Sequence, residues 1–160
     1  MDQKFEYIEC NGVSLRVAIS GEGPLVLLIH GWPESWYSWR HQIRELSAAG
    51  YKVAAPDVRG YGGSDKPEAI EDYDMANMTA DMAGLVSALG SEPAVVIGHD
   101  WGAPIAWNTA LLHPDKVCAV AGLSVPYTGL GPALFIEVEK IHAVQFFLLN
   151  LLSKSGCRRI

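Results

Sequence analysis

The sequence predicts an α/β fold built on a mostly parallel sheet covered by helices on both faces. Three observations carry that expectation. Short apolar runs alternate with helix-like stretches, the pattern of consecutive strand–helix units. Two of the runs, Leu25–Ile29 and Ala94–Ile97, are continuously apolar, as strands buried on both faces must be. The second run ends in Gly98-His99-Asp100-Trp101-Gly102 and passes at once into a helix-like stretch. Two glycines permit a sharp strand–turn–helix, and the residue between them is thrust out at the turn.

Each element has its local reason. Phe5–Glu9 and Ser14–Ile19 flank Asn11-Gly12, a hairpin turn signal. Gly21-Glu22-Gly23-Pro24 breaks the chain before Leu25–Ile29, which ends in His30-Gly31-Trp32-Pro33. Trp36–Ala49 is helical in composition and closes on Gly50 as a C-cap. Tyr51–Ala55 is the next strand, and 56–67 is a loop with Gly60, Gly62 and Gly63. From Asp74 a helix places Met75, Met78, Met82, Leu85, Val86 and Leu89 on one face and ends at Gly90. The helix after Asp100 stops at His113-Pro114, and Val117–Leu123 is a further strand. Pro126, Gly129, Gly131 and Pro132 mark a linker, and 133–152 is a second helical region. About six strands result.

Composition narrows the function. The chain has 160 residues, enough for one domain with a real core, and its 49% hydrophobic content makes it globular. A net charge of -6 without a basic run argues against nucleic acid or an anionic membrane as partner. Cys10, Cys118 and Cys157 are widely spaced with no CxxC, which suits thiols in a reducing, cytoplasmic compartment rather than a disulfide framework or zinc site. No secretory signal follows Met1, and Phe146–Leu149 is too short to span a bilayer. Nothing in the pattern calls for a cofactor.

The chemistry is expected at three strand ends: His30 to Pro33, Asp57 to Gly62, and His99 to Trp101. Sites in open parallel sheets form outside the carboxyl ends of strands, so these loops should converge. The turn that usually carries Ser has Asp100 at its centre, so a carboxylate is the candidate nucleophile. A carboxylate suits attack on an sp3 carbon, such as an epoxide or a carbon–halogen bond, and yields an ester on the enzyme. Attack of water on that ester needs backbone N–H donors for the oxyanion, and the N–H groups of Trp101 and Trp32 are the candidates. The competing reading of Asp100 is a helix N-cap. The Trp32 and Trp101 side chains are read as core aromatics, His30 and His99 as structural hydrogen-bonders, Asp57 and Arg59 as braces of the loop, and the Met stripe as core.

His30-Gly31-Trp32-Pro33-Glu34-Ser35-Trp36, Arg59-Gly60-Tyr61-Gly62-Gly63-Ser64-Asp65 and Gly98-His99-Asp100-Trp101-Gly102-Ala103-Pro104 resemble the soluble epoxide hydrolases of the α/β-hydrolase fold. The resemblance runs from the first strand to Pro126. It implies an Asp100 nucleophile, a small epoxide or related electrophile as substrate, no cofactor, and a cis Trp32-Pro33 bond. Haloalkane dehalogenases share Gly-His-Asp-Trp-Gly, yet usually place Asn at position 32 to hold the leaving halide, where this chain has Trp32.

That family also uses a His base and an acid, which it places after later strands, and two Tyr of a lid domain. The resemblance therefore divides the chain into 1–127, the N-terminal part of the hydrolase core, and 128–160, the start of a lid. His30, His41, His99 and His113 lie too early to be the base, His142 falls in the lid region, and Tyr127 matches neither lid Tyr. The ending 146–160 departs from the family pattern. Suitable codons read one base out of register give Phe-Phe-Tyr-Leu-Ile-Tyr-Phe-Gln-Ser-Arg-Gly-Val-Ala-Glu, so a frameshifted tail is expected, with Leu148 where the first lid Tyr belongs. On this reading the 160-residue chain is a truncated hydrolase without turnover. The rival from another class is a non-catalytic fragment whose strand Val117–Leu123 is an exposed sheet edge, prone to pair with another chain.

Overall fold

The computed structural model describes residues 3–90 and 92–127. Six strands form one sheet: β1 (Lys4–Cys10), β2 (Val13–Ser20), β3 (Leu25–Ile29), β4 (Lys52–Pro56), β5 (Ala94–His99) and β6 (Val117–Leu123). Their order across the sheet is β1-β2-β4-β3-β5-β6. β1 and β2 are antiparallel, joined at Asn11 and Gly12, whose φ angles of 47° and 74° fit the left-handed pair a tight hairpin demands. β2 also meets β4 antiparallel, whereas β4, β3, β5 and β6 run parallel. The sheet is thus mixed, with its parallel half around β3 and β5. Every residue of β3 is buried, as its unbroken apolar run requires.

Helices α1 (Arg40–Ala48), α2 (Met75–Leu89) and α3 (Gly102–Leu112) follow β3, β4 and β5. Two apolar cores result. Leu27, Ile29, Met82, Leu85, Val86, Val96 and Trp107 fill one, beneath α2 and α3. Val26, Leu28, Trp39, Ile43 and Val53 fill the other, beneath α1. The Met82, Leu85, Val86 and Leu89 face of α2 is buried, with Met75 and Met78 packed at its margin. Asp74 starts α2 by accepting the Asn77 N–H at 2.7 Å.

One local expectation needs correction. The helix read over Trp36–Ala49 is a 3-10 turn at Trp36–Trp39 followed by α1, because Ser35 caps the turn through the Tyr37 N–H at 3.3 Å. Gly90 ends α2, as expected, in an extended conformation (φ -149°). Among the described residues no helix is long and apolar enough to cross a membrane. The second helical region, the tail reading, His142, Leu148 and Cys157 lie outside the described residues.

Candidate active site at the carboxyl end of the sheet

Asp100 sits between β5 and α3 with φ 52°, a left-handed conformation unusual for a residue with a side chain. Two glycines make the turn possible. A Cβ on Gly98 would strike the Gly102 carbonyl, and one on Gly102 would strike the Ile29 carbonyl of β3. The chain therefore reverses from strand to helix with its backbone pressed against β3. The Asp100 N–H donates to the Leu123 carbonyl at the end of β6 (3.1 Å), and its carbonyl accepts the Ala103 N–H (3.0 Å). The N-cap of α3 is Trp101, and no side chain caps that helix. Asp100 is therefore not an N-cap, and its carboxylate is turned to other partners.

The first partner comes from the end of β3. The Trp32 N–H donates to Asp100 Oδ1 at 2.9 Å. Trp32 is joined to Pro33 by a cis peptide bond, as the resemblance implied. The N–H groups of Trp32 and then Trp101 hold the Asp100 carboxyl below its ordinary value of 3.8, with a further contribution from His99. The carboxylate is the stable form throughout the neutral range.

Behind these turns the polar side chains are tightly engaged. His30 Nδ1 donates to the Gly31 carbonyl at 2.8 Å, and its Nε2 accepts the Val58 N–H at 3.0 Å. Burial lowers the pKa of this imidazole, so it remains neutral and ties the end of β3 to the loop after β4. Asp57 is fully buried. Its Oδ1 accepts the Trp36 N–H (3.1 Å), and its Oδ2 accepts the Gly63 N–H (2.8 Å) and Arg16 Nε (2.8 Å). Arg59 makes a buried two-pronged pair with Asp81, at 2.8 and 2.7 Å. Tyr61 packs edge-on against His30, with ring centroids 5.2 Å apart, and both burial and the charge of Asp100 raise its phenol pKa. Burial and Asp81 push the Cys10 thiol up to about 11, which keeps it protonated in the neutral range.

The three predicted loops do converge. Trp32 and Asp100 meet directly, and Asp57 and Arg59 brace the third loop. One expectation fails. The Trp32 and Trp101 side chains are not core aromatics: they are 63% and 62% exposed. The backbone of each is fixed at the turn, which commits the ring to the rim of the sheet rather than its interior. Sequence reasoning gave Glu34 no role of its own. Its carboxylate reaches both the Gly31 N–H (3.3 Å) and His99 Nδ1 (3.4 Å). Its place one residue after Pro33, in a turn that needs an acceptor, was the available signal.

The sequence matches the family described as alpha/beta hydrolase fold over residues 24–150. The chain belongs to the alpha/beta hydrolase fold family. Within that family it is similar to epoxide hydrolases. Epoxide hydrolase A of Mycobacterium tuberculosis is 60% identical over 121 residues, which are 74% of this chain and 38% of that protein. The crystal structure of epoxide hydrolase A from Mycobacterium thermoresistibile matches with a TM-score of 0.77 at 54% identity, over 86% of this chain and 45% of that one. An epoxide hydrolase structure from Vigna radiata matches with a TM-score of 0.78 at 44% identity, over 82% of this chain and 41% of that one. The chain thus spans less than half the length of these relatives.

Proposed function

We propose that this chain carries the nucleophilic half of an epoxide-hydrolase site, with Asp100 as the nucleophile and the Trp32 and Trp101 N–H groups as oxyanion donors. The supporting observation is the 2.9 Å hydrogen bond from the Trp32 N–H to Oδ1 of a carboxylate held at φ 52°. That bond divides the labour of the two oxygens. Oδ1 stays with the Trp32 N–H, and Oδ2 attacks an epoxide carbon. The carbon–oxygen bond of the ring breaks, the ring oxygen takes the electron pair and then a proton from water, and an ester forms on Asp100. When water later adds to Cγ, the oxyanion develops on Oδ1, where the Trp32 N–H already points. Losing one such donor costs roughly 100- to 1000-fold in rate.

Release of the ester needs a base, and the described histidines are occupied elsewhere. His30 has both ring nitrogens engaged, and His99 faces Glu34. His41 is exposed on α1. His113 caps the C-terminal end of α3, the end remote from Asp100. The reading therefore expects the 160-residue chain to accumulate the ester without turning over. Incubation with an aryl-substituted epoxide should add the mass of one epoxide per chain and release no diol. Steady diol release would overturn the half-site reading. Equivalent labelling by a primary alkyl bromide, with halide set free, would favour dehalogenase chemistry. A chain inert to both would be the non-catalytic fragment.

A further inference from the structure

We propose that Glu34 is a positioning residue, whose single oxygen Oε2 ties together the residues that precede the oxyanion donor Trp32 and the nucleophile Asp100. The inference deepens the proposed function and rests on that reading of Asp100. Oε2 lies 3.3 Å from the Gly31 N–H and 3.4 Å from His99 Nδ1. Gly31 adjoins Trp32, and His99 adjoins Asp100. The Glu34 N–H also donates to the Gly31 carbonyl at 3.1 Å, so the turn 31–34 is closed from both sides. That carbonyl accepts from His30 Nδ1 as well.

Close approach makes this fixing necessary. A Cβ on Gly31 would stand 2.5 Å from Asp100 Cβ and 2.7 Å from Oδ1. The two turns are in contact, and a small slide between them would either jam them or lengthen the Trp32 N–H···Oδ1 bond. Hydrogen bonds between the β3 and β5 backbones stop at the strand ends, with the Ile29–Gly98 pair. Beyond that pair the side chain of Glu34 bridges the two turns. Glu34 and His99 are about one-third exposed, which leaves the bridge room to be removed without emptying a core.

The charge effect and the positioning effect of removing Glu34 have opposite signs at Asp100. Deleting a nearby carboxylate eases ionisation of Asp100 or leaves it unchanged. Loosening the Trp32 N–H opposes ionisation, because that bond favours the charged form. The groups facing Asp100 are the Trp32 and Trp101 N–H, His99 and the Tyr61 phenol. Carbon-13 NMR titration of Asp100 in the 160-residue chain reads the outcome. Glu34→Ala should raise the Asp100 pKa by about 0.5–1 unit and speed exchange of the Gly31 and Trp32 amide protons. Glu34→Gln, which retains an acceptor oxygen, should return both close to wild type. His99→Leu removes a group that itself acts on the Asp100 carboxyl and is therefore read by exchange alone, which should speed at Trp32. A depressed wild-type Asp100 pKa that Glu34→Ala leaves unchanged or lowers would overturn the positioning role alone. Unaltered Trp32 exchange in both Glu34→Ala and His99→Leu would do the same. An ordinary wild-type Asp100 pKa would instead overturn the donor assignment on which the role rests.

Discussion

Asp57 and Asp100 are the same side chain in opposite settings, a short distance beyond two strands of one sheet. Asp57 is fully buried, and the Arg16 guanidinium and the Trp36 and Gly63 N–H groups engage both its oxygens. Asp100 stands at the surface of the turn, with Oδ1 held by a backbone N–H. A carboxylate saturated by a cation and several donors has little reactivity left, and it locks a loop. A carboxylate held by backbone dipoles keeps its charge without a neutralising cation, which suits a nucleophile. The difference lies in the partners: a half-buried arginine and two backbone donors for one, a strained backbone turn for the other.

Substitution should separate the two roles cleanly. Asp57→Ala strands Arg16 and two N–H donors, and should lower unfolding stability by about 3–5 kcal/mol in denaturant titration. Asp100→Asn should leave the denaturation midpoint nearly unchanged, since Asn tolerates a positive φ, yet abolish epoxide labelling. A large stability loss in Asp100→Asn would break the contrast. Gly31→Ala should slow labelling by about 100-fold, the scale of a misplacement near 1 Å, measured by the rate of adduct growth.

A pH prediction follows from His30. Its folded pKa lies below the ordinary 6.5, so below that pH the unfolded chain binds the extra proton first. Stability should fall as pH drops from 6.5 towards the lowered value, and His30→Gln should flatten that slope in thermal melts taken across the range. Asp74→Ala, at the start of α2 and remote from the site, should cost only about 1 kcal/mol as a lost cap and leave the labelling rate intact.

The parallel half of the sheet was legible from its continuous apolar runs: burial on both faces writes that of β3, while in β5 Val95 and Ile97 are only half-buried against the α1 side. The Asn11-Gly12 hairpin and the glycines around Asp100 were legible because left-handed backbone and close approach restrict residue choice. The donor turn at Trp32 became legible only through its neighbours in the motif His30 to Trp36. What the sequence concealed were side-chain orientations. Whether a tryptophan ring faces the core or the rim depends on the turn that carries it, and Trp32 and Trp101 are apolar by type but exposed by position. Glu34 was concealed for the same reason: its role depends on His99, 65 residues away in sequence.

The central claim is that Asp100 attacks the electrophile, and peptide-level mass spectrometry tests it most directly. After exposure to an aryl-substituted epoxide, the adduct should map to the peptide bearing Asp100 as a base-labile ester, and Asp100→Asn should remain unlabelled. An adduct on another residue, or equal labelling of Asp100→Asn, would contradict the account.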